Sequence, residues 1–146
     1  MKSIRTEIHI EASPETVWQV LTDFRQYPDW NPFMPRAEGD IREGATIEVR
    51  IEPPGGRGMT FRPTLRRVEP NRELRWFGRL LLPKLFDGEH IFELRPVEGG
   101  TRFIQRENFG GLLVPLLWGS LEGPTRRGFE AMNQALKEQA EARVAA

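Results

Sequence analysis

The residues best suited to chemistry lie in one segment, Phe86 to Phe109, where His90, Gln105 and Glu107 stand among alternating apolar side chains. An imidazole exchanges protons near neutral pH and can serve as a general acid or base, and a carboxylate beside it can orient the ring and strengthen it as a base. The catalytic candidates are therefore His90 and Glu107. A glutamine amide both donates and accepts, which suits Gln105 to fixing a ligand. Each has a plainer reading: a structural histidine, a His–Glu pair that satisfies itself, a surface glutamine. With two histidines and no cysteine in the chain, a zinc site would need carboxylates in unusual company, so neither a metal nor a cofactor is expected. Gly55, Gly56 and Gly58 fall between two strands, not ahead of a helix, and do not form a phosphate cradle. Ser3, Ser13 and Ser120 lack the context of an activated nucleophile.

The candidates need a hairpin to bring them together. A two-residue turn at Gly99-Gly100 sets Phe92 opposite Glu107 and Leu94 opposite Gln105, with Glu107 diagonal to His90. One face then carries His90, Phe92, Leu94, Phe103, Gln105, Glu107 and Phe109, whereas a turn longer by one residue would bring Arg106 and Asn108 to it instead. Aromatic residues mixed with polar groups suit a pocket wall better than a dry core, since unpaired polar groups are costly to bury.

Other elements follow from periodicity. Ile4, Thr6, Ile8 and Ile10 alternate with charged residues as in a half-buried strand, with His9 outward. Ser13-Pro14 starts a short helix whose apolar stripe is Val17, Trp18, Val20 and Leu21. A proline-rich connection, Tyr27 to Phe33, leads to strands near Arg36 to Ile41, Thr46 to Glu52, Met59 to Glu69 and Glu73 to Arg79, and the hairpin completes about seven. Phe129, Met132, Leu136 and Ala140 then recur at helical spacing, with Pro124 expected to bend the helix or open a second segment of it. An antiparallel sheet cannot cover its own apolar face, so it is expected to wrap the terminal helix in an α+β fold.

Composition narrows the function further. The 146 residues fit one domain, 1–146, able to bury roughly two-thirds of its unfolded surface. Lys plus Arg and Asp plus Glu number 21 each, and the basic pairs at Arg66 and Arg126 read as solvated face, so nucleic acid is not an expected partner. The apolar run from Leu112 to Trp118 is too short for stable membrane insertion. No cysteine and a start directly on a strand make a leader peptide unexpected and a cytoplasmic location the default.

The order of elements, with Tyr27-Pro-Asp-Trp-Asn-Pro-Phe33, Pro70-Asn-Arg-Glu-Leu-Arg-Trp76, Gly88-Glu-His-Ile-Phe-Glu-Leu94 and Phe129-Glu-Ala-Met-Asn-Gln-Ala-Leu136, resembles the START-like, or SRPBCC, superfamily and its polyketide cyclase/dehydratase-like members. The resemblance implies a helix-grip fold: a seven-stranded antiparallel sheet around a long C-terminal helix, two short helices between strands 1 and 2, and an internal hydrophobic cavity. The leading reading is non-catalytic binding of a hydrophobic or amphipathic small molecule, lipid-, polyketide- or aromatic-like. Trp30, Phe33, Trp76, Phe92, Phe103, Leu116, Phe129 and Met132 would supply apolar contact, while His90, Gln105 and Glu107 fix orientation. Pro53 to Gly58 and Leu80 to Phe86 are candidate gates, the apolar residues of the latter alternatively forming a homodimer contact. The rival readings are a cyclase or dehydratase-type enzyme using His90 and Glu107, and an accessory protein docking through Leu80 to Phe86.

Overall fold

The alternation at the start of the chain produces β1 (Lys2–Ile10) in the computed structural model, which describes residues 1–80 and 84–146. Ser13 caps α1 (Pro14–Thr22) by accepting a bond from the Thr16 N–H, with Pro14 in the first turn, where a missing N–H costs nothing. A single 3-10 turn and α2 (Tyr27–Trp30) follow. Then come β2 (Arg36–Glu38), β3 (Glu48–Ile51), β4 (Met59–Phe61), β5 (Thr64–Glu69), β6 (Glu73–Leu80), β7 (Phe86–Val97), β8 (Gly100–Gly110) and the closing helix α3 (Val114–Ala145).

The strands form a five-stranded sheet, β1-β8-β7-β6-β5, and a three-stranded one, β2-β3-β4, where a single seven-stranded sheet was expected. The difference lies at Arg62-Pro63. The expected strand from Met59 to Glu69 breaks there because proline has no N–H for the ladder, so β4 pairs with β3 while β5 pairs with β6. The sheets stay joined across the break: the Ile47 N–H donates to the Pro63 carbonyl at 2.9 Å and the Leu65 N–H to the Ala45 carbonyl at 2.8 Å.

The β7-β8 turn is Glu98-Gly99, not Gly99-Gly100, and Val97 pairs with Gly100. Gly99 takes a φ of +81°, while a Cβ on Gly100 would lie 2.0 Å from the Ile10 carbonyl oxygen, so the second glycine is needed inside the strand and not at the turn. Phe92 therefore faces Gln105, Leu94 faces Phe103, and His90 faces Glu107 directly. Because the pairing moved by two residues, an even number, the expected inward face keeps its members.

α3 is continuous through Pro124, so no second segment opens there. The preceding Gly123 has no Cβ, which lifts the clash that normally drives a residue ahead of proline out of the helical region. The helix packs against β1, β8 and α1 along Phe129, Met132, Asn133, Leu136 and Ala140, all buried. On the opposite face of the sheet, Ile91 and Ile104 are buried outside the main core. Glu93, Ile104's cross-strand partner, receives the Arg106 guanidinium at 2.7 Å, and Arg106 stands across from Ile91.

Candidate functional site

A cavity of about 570 Å³ lies between the concave sheet face and the first half of α3, within the range that takes a small organic ligand. Its floor is open because Gly78 on β6 and Gly88 on β7 face each other across the ladder and bring no side chains to it. Trp76, Phe86 and Phe109 wall it from the five-stranded sheet, Phe61 and Ile51 from the smaller sheet, and Leu117 and Leu121, one helical turn apart, from α3. It reaches the surface among the exposed Gly56, Arg57, Leu117 and Ser120.

The polar part of the wall is one hydrogen-bonded chain. His90 Nδ1 is 3.0 Å from Glu107 Oε1, and His90 Nε2 is 2.9 Å from Gln105 Oε1. Gln105 Nε2 donates to Asn133 Oδ1 at 2.8 Å and also approaches the Phe129 carbonyl at 3.4 Å. Asn133 Nδ2 donates to Thr6 Oγ1 at 2.9 Å, and the Thr6 hydroxyl donates to the Gln105 carbonyl at 3.0 Å. The imidazole is 2 % exposed and stacks on Trp76, with the Phe92 and Phe129 rings also against it at centroid distances of 4.6 and 5.0 Å. Glu107 retains 17 % exposure and reaches the cavity through Oε2, which lies over Gly88; a Cβ on that glycine would sit 2.3 Å from it.

Of the residues singled out from sequence, Phe33, Trp76, His90 and Glu107 meet on the cavity wall. Gln105, Phe92 and Phe129 stand behind that wall, buried and touching the imidazole. Phe103 stacks on Phe92 at 5.9 Å, and Met132 is fully buried in the core, so neither borders the cavity. Trp30 is half-buried away from it, against Tyr27 at 5.2 Å. Leu116 is 80 % exposed, on the helix face that turns away from Leu117 and Leu121. Of the candidate gates, Pro53, Gly56, Arg57 and Phe86 border the cavity, while Leu81, Leu82 and Pro83 lie outside the described residues.

Thr6, Asn133, Gly78 and Gly88 were not anticipated. The first two carried a readable signal, a polar residue in the apolar series of β1 and another in the apolar stripe of α3, since buried polar groups are almost always paired. The two glycines are recognisable only once β6 and β7 are in register.

Residues 1–141 match the protein family described as polyketide cyclase / dehydrase and lipid transport. The chain belongs to that family. Among solved structures, the Zhui aromatase/cyclase from Streptomyces sp. R1128 superposes with a TM-score of 0.80 at 18% identity, covering 98% of this chain and 95% of that one. The protein TTHA0849 from Thermus thermophilus gives 0.76 at 19% identity over 97% and 99% of the two chains. MLL2253 from Mesorhizobium loti gives 0.73 at 19% identity over 97% and 98%. At such identities these likenesses concern the fold, and they agree with the helix-grip arrangement of the family. No curated protein matches the sequence. Among the described residues no helix is long and apolar enough to cross a membrane.

Proposed function

We propose that this family member, acting as one domain in the cytoplasm, encloses a hydrophobic or amphipathic small molecule between sheet and terminal helix without turning it over. The observation that carries the reading is the cavity of about 570 Å³, walled by aromatic and aliphatic side chains with the His90–Glu107 pair as its inner polar group. Apolar walls supply affinity through burial, at about 25 cal/mol per Å² removed from water, and one polar anchor supplies orientation. Gln105 contributes through His90. Lipid-, polyketide- and aromatic-like molecules all fit that description.

A cyclase or dehydratase-type enzyme is the second reading, favoured by the hydrogen bond between the imidazole and the carboxylate. In it the proton acceptor is Glu107, because both ring nitrogens of His90 are already engaged.

Native mass spectra of freshly purified protein, beside a denatured and solvent-extracted sample, test enclosure. A stoichiometric adduct that disappears on extraction is expected. A clean apo mass, together with no binding to a panel of apolar probes, would overturn the reading.

A further inference from the structure

The hydrogen-bonded chain behind the cavity determines where protons sit, starting from a group that can only accept. The Gln105 main-chain carbonyl takes the single hydroxyl proton of Thr6. Thr6 Oγ1 can then only accept from Asn133, so the amide nitrogen of Asn133 faces it. Asn133 Oδ1 is left facing Gln105, whose Nε2 must be the donor, an orientation that the nearby Phe129 carbonyl also requires. Gln105 Oε1 is left facing His90 Nε2, which must therefore carry a hydrogen.

With Nε2 protonated, the only ring position still open is Nδ1, 3.0 Å from Glu107 Oε1. Two lone pairs at that distance would repel, so one proton lies between them, as imidazolium with carboxylate or as imidazole with carboxylic acid. In either form the proton is on the Nδ1–Oε1 line, and Glu107 Oε2 presents lone pairs alone. No group among the described residues donates to Oε2, and the missing side chain of Gly88 leaves room beside it.

We propose that Glu107 Oε2 is the cavity's ligand-recognising atom and an obligate acceptor, so that the site selects neutral molecules bearing a hydroxyl or N–H donor and rejects carboxylate anions such as free fatty acids. Gln105, Asn133 and Thr6 are positioning residues: they hold the proton on Nε2 and exclude the tautomer in which Nδ1–H simply donates to an ionised Glu107. The ligand selectivity rests on the enclosure reading above; the proton assignment does not.

Two measurements separate them. In protein labelled with 15N-histidine, the His90 ring should show Nε2 protonated in the free state, distinct from the exposed His9. Thr6→Val should give a second population with Nε2 unprotonated, and Thr6→Ser should restore the single state. An unprotonated Nε2 in the wild type, or a T6V spectrum identical to it, overturns the assignment. Equilibrium dialysis with 2-naphthol, 2-naphthoate and 2-methylnaphthalene tests selectivity. The naphthol should bind about tenfold to a hundredfold more tightly than the naphthoate, as expected for a hydrogen bond gained in place of two facing acceptors. Glu107→Leu should cut that preference at least tenfold, because it removes the acceptor. Equal or tighter binding of the naphthoate, or a preference unchanged in E107L, overturns the selectivity. If none of the three binds, enclosure of ligands of this size fails, while the proton assignment stands or falls on the nitrogen spectrum alone.

Discussion

Replacing Gly88 with alanine tests the site's geometry with one methyl group. The added Cβ would meet Glu107 Oε2 at 2.3 Å and the carboxyl carbon at 3.5 Å, while its facing residue, Gly78, would place a Cβ 3.6 Å from Pro63 Cβ, an ordinary contact. In Gly88→Ala the end of the Glu107 side chain must swing away, which separates Oε1 from His90 Nδ1. A hydrogen bond to a charged group contributes about 1.5–3 kcal/mol, and replacing glycine inside a strand returns about 0.5–1 kcal/mol. The net loss is about 1–2 kcal/mol, or about 2–8 °C in melting temperature for a domain of this size. Gly78→Ala loses no bond and should be neutral or stabilising by up to about 1 kcal/mol. Both variants put a methyl on the same cavity floor, so the pair separates displacement of the carboxyl from loss of space. Thermal unfolding by circular dichroism with the histidine nitrogen spectrum reads both effects. Equal melting temperatures and an unchanged His90 spectrum in the two variants would refute the placement of Glu107 over Gly88.

Three further outcomes follow from the same geometry. In Gly128→Ala the new Cβ would lie 2.2 Å from Cδ1 of the buried Phe33; overpacking of about 1–3 kcal/mol should exceed the helix-propensity gain of about 1 kcal/mol, and equilibrium denaturation should show a less stable protein that also binds cavity probes more weakly because Phe33 is wall. Asn133→Leu strips Gln105 Nε2 and Thr6 Oγ1 of their partner and should cost about 1–3 kcal/mol by the same assay, with no loss expected if the network were dispensable. Burial pushes the Glu93 carboxyl up, but hydrogen bonds from Arg106 and Arg95 outweigh it and hold the group below the usual carboxylate value. The stability it contributes is thus present above the unfolded-state value, about 4.3, and is lost as pH falls through the lower folded value; Glu93→Gln should lie below the wild type in stability above roughly pH 5 and converge with it in acid.

The parts legible in sequence are those that periodicity alone decides. The inward set of β7 and β8 survived an error in the turn because the pairing moved by two residues, which exchanges partners without exchanging faces. The buried stripe of α3 and the Ser13-Pro14 helix start were readable for the same local reason. The two-sheet arrangement was not, since it turns on what one N–H-less residue does in a strand whose neighbours were unknown. Nor was the cavity wall: Phe92, Phe103, Phe129 and Trp76 are alike in sequence, and only the curvature of the sheet and the gap over Gly78 and Gly88 decide that Trp76 borders open space while the others pack.

Residue type and geometry weigh differently on the chemistry, for a reason that is general. An imidazole among carboxylate and amide groups stands out because it exchanges protons near neutrality, and here both of its nitrogens are engaged within the protein. What the ring does is connect: its Nε2 carries the orientation of Gln105, Asn133 and Thr6 outward, and its Nδ1 shares a proton with Glu107, whose carboxyl borders the cavity. Three aromatic rings packed around it exclude water. A buried polar chain of this kind is costly unless every member is satisfied, and among the described residues nothing donates to its end at the cavity, Glu107 Oε2, where a ligand that donates a hydrogen bond completes it.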